Sequence, residues 1–412
     1  MTQRKLLLVT DPIGGATSVQ SEILGSLVTG LGSEFELTAF TPYCDPRRVE
    51  AIHNSGCQLV TPRNRGFRYN RHLRPGQPAN ESMLWAESWL REALAGLNRR
   101  DAAESLLGFR FDYAVNLSMT VPVKSDLWWV LGTPLDQTLS GMAGTNSVAR
   151  IASMGAGGLV ASLDRMVLRR IQSMTLRIIA NSPYLLQLYR SRGFPVERVV
   201  YTLKDLSAYA PSTRNPSRDF VLLYVGKELD YLDFHALSRQ GLRVVGFGNK
   251  VPSGTRMKGL TDEIEWLGPV NQEKLIDLYS NALFTLFPFT YEPMGLVPIE
   301  SMACGTPVLT YGRQGPASTV VNGVTGWLVD TPGQMIAKAL EVWRRRESGL
   351  SPDACVRQSR LFSSRRMVEE LVDWIKGACP VKPARRETLS PPFLSGPMSG
   401  APPDAELVST GA

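Results

Sequence analysis

Two carboxylates, Glu292 and Glu300, stand eight residues apart around a glycine in the segment Phe287-Pro-Phe-Thr-Tyr-Glu292-Pro-Met-Gly295-Leu-Val-Pro-Ile-Glu300-Ser-Met-Ala-Cys304-Gly-Thr-Pro307. An ionised carboxylate only accepts hydrogen bonds, so such a pair suits the hydroxyl groups of a ligand. The apolar run Leu283 to Phe287 reads as a buried strand stopped by Pro288, and Leu296 to Cys304 reads as a short helix. Gly295 at the junction lets the backbone approach a ligand closely, and the helix start offers N–H groups and the positive end of a dipole to an anion. Glu292 then lies in the loop ahead of the helix and Glu300 about one turn inside it. A pyrophosphate on the helix start, flanked by a sugar and a ribose, would satisfy all of these groups.

Other residues extend this chemistry or limit it. Gly14-Gly15 follows the apolar run Leu6 to Thr10, where a tight strand-to-helix turn needs glycine for its backbone angles. Phe220-Val-Leu-Leu-Tyr224-Val-Gly226-Lys227 is an apolar strand that ends in glycine and a cation. Arg63, Arg65, Arg68, Arg71 and Arg74 interleave with Phe67 and Tyr69 in an irregular stretch, a surface loop whose charge suits a phosphorylated lipid, an anionic glycan or plain solvent. Net charge is +7 with a pI near 9.2. The basic residues are spread through segments that read as strands and helices, and nucleic-acid-binding spacings are absent, so no nucleic-acid partner is expected. The cysteines Cys44, Cys57, Cys304, Cys355 and Cys379 are odd in number and lack paired metal-ligand spacing. Neither a disulfide framework nor a metal site is expected from them. No apolar run is long enough to span a bilayer, and the opening Met-Thr-Gln-Arg-Lys leads straight into a strand, so a cytoplasmic chain is expected. Reversible attachment to an anionic membrane surface through the arginine-rich loop is a further expectation.

The string from Glu292 through Ala303-Cys-Gly-Thr-Pro307 resembles the signature of retaining family-4 glycosyltransferases, glycosyl transferases group 1. Those enzymes have the α/β GT-B fold, two Rossmann-like domains facing across a cleft. The resemblance is strong from about Phe220 to Asp330 and moderate from Leu6 to Asp205. It implies that Glu300 binds the ribose hydroxyls of a donor nucleotide, that Glu292 contacts the donor sugar, and that the backbone of Gly295, Leu296 and Val297 meets sugar or phosphate. It also implies that Gly14 and Gly15 approach the donor phosphates or the acceptor. Lys227 stands where the family usually has Arg, and can neutralise the donor diphosphate as a point charge. Glu292 and Lys227 are the expected catalytic residues. Two positions depart from the pattern: Leu131 replaces a His that usually approaches the donor sugar, and Leu232 stands near the place of a second cation. Lys250 or Lys258 would then have to help stabilise charge on the departing diphosphate.

The activity so implied is metal-independent, retaining transfer of a hexose from a UDP- or GDP-linked sugar to a lipid-linked or polysaccharide acceptor, without a cofactor. The departures at Leu131 and Leu232 leave a second reading, a non-catalytic relative that binds a sugar nucleotide or glycan as a regulatory subunit. Sugar-nucleotide epimerases of the same fold lack this Glu-to-Glu spacing.

Positioning these groups requires alternating strands and helices. Leu6–Thr10, Phe35–Thr41, Cys57–Thr61, Tyr113–Leu117, Leu127–Val130 and the segment from Ile178 read as strands of a first, acceptor-side domain over residues 1–209. A helix buries Ile23, Leu24, Leu27 and Val28, and Trp85, Trp89 and Leu90 fall at helical spacing as core. By resemblance, Val199–Asp205 is a crossing strand, and the polar, proline-containing stretch Ala210–Ser217 reads as a linker. A second, nucleotide-sugar-binding domain over residues 218–358 carries strands at Phe220, Val244, Ile264, Leu283 and Val308, with Trp266 in the core and a short hairpin at Asn322. A C-terminal helix at about 359–378 is expected, by resemblance, to pack back onto the first domain. Residues 380–412, rich in Pro, Ser and Gly, read as a disordered tail.

Overall fold

The computed structural model describes residues 3–14, 19–61, 81–94, 109–142, 157–201, 205–213, 215–226, 228–248, 263–375 and 377. Gly15, Lys227, Lys250, Lys258, the arginine-rich run 63–74 and the tail 380–412 lie outside them. Residues 1–372 form one compact unit built on two sheets whose strand pairs are all parallel.

The first sheet gathers β1 (Arg4–Val9), β2 (Phe35–Phe40), β3 (Gln58–Val60), β4 (Tyr113–Asn116), β5 (Ser125–Val130), β6 (Thr175–Ala180) and β7 (Val196–Val199). Between them run α1 (Val19–Leu31), α2 (Pro46–Asn54), α3 (Glu81–Ala93), α4 (Leu135–Met142), α5 (Gly157–Ser173) and α6 (Pro183–Ser191). The second sheet holds β8 (Val221–Tyr224), β9 (Val244–Phe247), β10 (Glu265–Trp266), β11 (Thr285–Phe287), β12 (Val308–Tyr311) and β13 (Gly326–Val329). Its helices are α7 (Phe234–Arg239), α8 (Gln272–Asn281), α9 (Leu296–Ala303), α10 (Pro316–Thr319) and α11 (Pro332–Arg345), followed by α12 (Pro352–Arg360) and α13 (Ser364–Ile375).

Near-continuous apolar strands such as Leu222-Leu223 and Trp128-Trp129 are buried on both faces, as a parallel sheet covered by helices requires. Strand order is β3-β2-β1-β4-β5-β6-β7 in one sheet and β10-β9-β8-β11-β12-β13 in the other. Each sheet starts in its middle, winds outward one way and then reverses. The reversals fall between β1 and β4 and between β8 and β11. Ligands of such sheets bind beyond the C-terminal strand ends at the reversal.

The cores differ from the sequence reading in a few places. Trp89 is buried and Trp85 packs beside it, but Leu90, one residue further round the helix, is 49% exposed. Trp266 is only half-buried because β10 is the sheet edge, where its ring lies across Gly246. Strand pairing in β7 ends at Val199, and residues 202–204 of the expected crossing strand Val199–Asp205 lie outside the described residues. Leu206 and Tyr209 already join the core of the second half, and the amides of Ser212 and Ser217 bond to Ser280 Oγ and Asn281 Oδ1. The stretch Ala210–Ser217 is thereby fastened to α8. Residues 326–329 form no hairpin; they pair parallel to β12. Near the C-terminus, a turn at 361–363 separates α12 from α13. Val368 of α13 lies against Gly30 of α1, and Glu370 pairs with Arg198 at 3.3 Å.

Candidate functional site

The exits of β8 and β11 are stitched together at the second reversal. Leu229 bridges Phe289, the Thr290 N–H donates to Glu228 O at 2.7 Å, and the Asp230 N–H donates to Pro288 O at 3.2 Å. Tyr311, at the end of β12, donates its hydroxyl to Asp230 Oδ2 at 2.8 Å. Arg313 stacks on the Tyr311 ring, 4.3 Å from its centroid, and donates to Phe289 O.

From there the chain runs through Glu292 into α9. Gly295 caps that helix with φ +93°, a left-handed conformation that a side chain resists. Glu292 Oε1 accepts from the N–H groups of Met294 at 3.1 Å and Gly295 at 2.9 Å, so the carboxylate is turned onto the helix start. The Glu292 backbone is held as well. Its N–H donates to Gln314 Oε1, and its carbonyl accepts from the Gly315 N–H at 2.9 Å. Gly315 must be glycine for this approach, since a Cβ there would sit 2.4 Å from the Met294 nitrogen. Leu296 and Val297, both partly exposed, form the first turn of α9, where amides have no carbonyl four residues back.

Glu300 lies one turn further in, only 6% exposed, and accepts from the Tyr279 hydroxyl at 3.0 Å. Burial, and then the Glu300 charge, hold the Tyr279 phenol protonated far above its ordinary range. A second phenol responds to the same carboxylates. Tyr224, at the end of β8, is pushed up by burial first and then by the charges of Glu228, Glu292 and Glu300. The Tyr224 phenol thus feels the charges of Glu228, Glu292 and Glu300 and hydrogen-bonds with Glu228, and neither Tyr224 nor Glu228 is singled out by the sequence motif. The available signal was a tyrosine ending an apolar strand, because a buried phenol seeks a polar strand end.

Leu131 and Leu232, the two departures, are 8% and 7% exposed. Asn181 Nδ2 donates to Leu131 O at 3.2 Å and the Phe234 N–H donates to Leu232 O at 2.9 Å.

At the first reversal Gly14 is buried beside Ile13, whose backbone pairs with Tyr43 and Asp45. Asp11, just before it, crosses from the β1 exit to the β4 exit. Its carboxylate accepts from Ser118 Oγ, from Thr120 Oγ1 at 2.7 Å and from the Met119 N–H at 3.1 Å. Burial still outweighs these donors and raises its pKa. No motif in the sequence singles out Asp11. Among the described residues no group of three or more His, Cys, Asp or Glu side chains is placed to hold a metal ion.

Residues 242–355 match the family described as glycosyl transferases group 1. The matched segment contains β11, α9 and β12, and with them Glu292, Gly295 and Glu300. A D-inositol 3-phosphate glycosyltransferase of Mycolicibacterium smegmatis is 30% identical over 155 residues, which cover 32% of this chain and 36% of that protein. One of the same name from Catenulispora acidiphila is 27% identical over 66% of this chain and 71% of its own length. The chain spans about a third to a half of the first of these relatives, 36%, 32% and 44% for three of them. Among solved structures, sucrose-phosphate synthase from Thermosynechococcus elongatus superposes with TM-score 0.64 at 17% identity, covering 91% of this chain and 99% of that one. Anabaena HepE, solved with UDP and glucose, gives 0.54 at 15% identity over 91% and 100%. At these identities the likeness is one of fold, and the fold is GT-B.

Proposed function

We propose that the protein is a glycosyltransferase whose nucleotide-diphosphate sugar donor is held at the start of α9. The observation that carries this reading is the Glu292 carboxylate turned onto a glycine-capped helix start, with buried Glu300 one turn inside the same helix, at the β8/β11 reversal in the segment that matches group 1. The diphosphate takes the first-turn amides of Leu296 and Val297 and the dipole end. Glu300, inside the helix, accepts from the ribose hydroxyls; Glu292, in the loop, accepts from the sugar. Lys227 balances the charge of the departing diphosphate. Gly14 and Gly15 border the same ligand from the first half.

Transfer on this reading keeps the anomeric configuration and needs no metal, the departing phosphate helping to take the acceptor's proton. Residues 218–358 act as the donor half and 1–209 as the acceptor half. The proposed acceptor is lipid-linked or a polysaccharide. The relatives' names point to a small phosphorylated polyol, so both classes belong in one acceptor panel. The buried leucines at 131 and 232 favour a second reading, in which the donor is bound without transfer.

Thermal shift with UDP-glucose, GDP-mannose and the free diphosphates tests the donor, because a ligand at a hundred times its Kd stabilises by about 2.7 kcal/mol. No shift with any of them at millimolar concentration overturns the reading. Slow release of free sugar from the stabilising donor separates the enzyme from the binding subunit, which would bind without any turnover.

A further inference from the structure

Glu292 is flanked by two residues that the first half of the molecule grips. On one side Pro293 O accepts from Ser182 Oγ at 2.6 Å. Ser182 is fully buried at the start of α6, where the same oxygen accepts from the Leu185 N–H at 3.2 Å. On the other side Tyr291 packs against Gly141 of α4 so closely that a Cβ on Gly141 would lie 2.6 Å from the Tyr291 Cβ. The second half holds the intervening residue through Gln314 and Gly315. The residues on either side of Glu292 are therefore held by the first half, while its own backbone and carboxylate are held by the second half through Gln314, Gly315 and the start of α9.

We propose that Ser182 and Gly141 are positioning residues that latch the Glu292 loop to the first half, so that docking of the two halves sets where Glu292 meets the donor sugar. This rests on the donor site proposed above. The hydroxyl of Ser182 has two separable tasks. Capping α6 needs an acceptor; holding Pro293 O needs a donor. Ser182→Asp keeps the first and abolishes the second, Ser182→Thr keeps both, and Ser182→Ala removes both. Gly141→Ala is independent of the cap. It favours the helix by propensity while its methyl group pushes Tyr291 away.

The variants are compared by melting temperature, by kcat and KM for UDP-glucose turnover, and by amide hydrogen exchange over residues 292–299. Misplacing a positioned group by about 1 Å lowers turnover as much as a hundredfold, so Ser182→Asp and Gly141→Ala should lose roughly ten- to a hundredfold in kcat. Their KM should change little and exchange over 292–299 should quicken; melting should fall somewhat, since Asp places a carboxylate in a buried site and Ala crowds Tyr291, so kcat and exchange rather than melting carry the test, and Ser182→Thr should match the parent in both. A purely structural serine predicts the opposite: Ser182→Ala melts lower, while Ser182→Asp and Gly141→Ala keep parental kcat and exchange. That outcome overturns the latch. If Ser182→Asp fails to fold, Gly141→Ala decides alone. If the parent turns over no donor, the proposed function fails, and unchanged exchange in Gly141→Ala would still reject the latch separately.

Discussion

Glu300 is the residue whose environment most restricts its role. It is a buried carboxylate that accepts from Tyr279 and stands within the influence of the Tyr224 phenol. Glu300→Gln keeps the size and an oxygen for Tyr279 but removes the charge that strengthens bonds to ligand hydroxyls. Donor affinity, measured by calorimetry with the nucleotide that stabilises the parent, should weaken by about 1.5–3 kcal/mol while melting without ligand barely moves. Equal affinity in parent and variant would reduce Glu300 to a structural acceptor for Tyr279. Glu300 and Glu292 were legible because their spacing and the glycine between them fall within one strand-turn-helix. Tyr224, Glu228 and Asp11 were not, because each acquires meaning only from side chains that other strands bring to it.

Two helix starts carry predictions at the scale of the element. Gly295→Ala must hold φ +93° with a methyl group 3.2 Å from Pro316 Cγ. It should cost about 1–2 kcal/mol of stability in a denaturant titration and weaken donor binding, because the start of α9 shifts. Full parental stability would mean that the turn at Gly295 is not the conformation in solution. At the start of α4, Asp164 accepts from the Leu135 N–H and from Trp89 Nε1, both at 2.8 Å. Burial raises its pKa from 3.8 to about 6, with Asp136 and Arg192 as smaller, opposing influences. As pH rises the unfolded chain releases this proton first, so stability falls between about pH 4 and pH 6, by roughly 3 kcal/mol for a shift of about two units. Asp164→Asn removes this proton step. The parent's advantage over the variant should therefore be larger at pH 4 than at pH 7, read from melting curves at both. A difference independent of pH would rule out the perturbed carboxyl.

At the scale of the whole molecule the excess positive charge, net +7, is the unexplained quantity. No helix among the described residues is long and apolar enough to cross a membrane. Attachment through this charge would be electrostatic, with each basic residue near an anionic surface contributing about 1 kcal/mol. Co-sedimentation with vesicles containing anionic lipid should succeed at low salt and fade steeply as salt shortens the Debye length. Neutral vesicles should capture nothing. Equal recovery in the supernatant with anionic and neutral vesicles at both salt levels would leave the arginines to solvent or to a soluble anionic acceptor.

The sequence alone determined what is local: alternating strands and helices, and the glycine-capped α9 with a carboxylate before it and one inside it. Periodicity reports which face of an element is buried, and a turn residue reports a backbone angle, so both can be read within a short window. Neither reports the neighbour across the contact. Only the tertiary structure decided that Tyr279 would face Glu300, that Tyr224 and Glu228 would join the two glutamates, and that Ser182 and Gly141 would grip the residues on either side of Glu292. It also put Leu90 on the surface, made residues 326–329 a sheet strand, and fastened the Ala210–Ser217 stretch to α8. The reason is the same in each case. These outcomes depend on which elements pack side by side, and strand order in a parallel sheet is set by crossovers that no single segment contains.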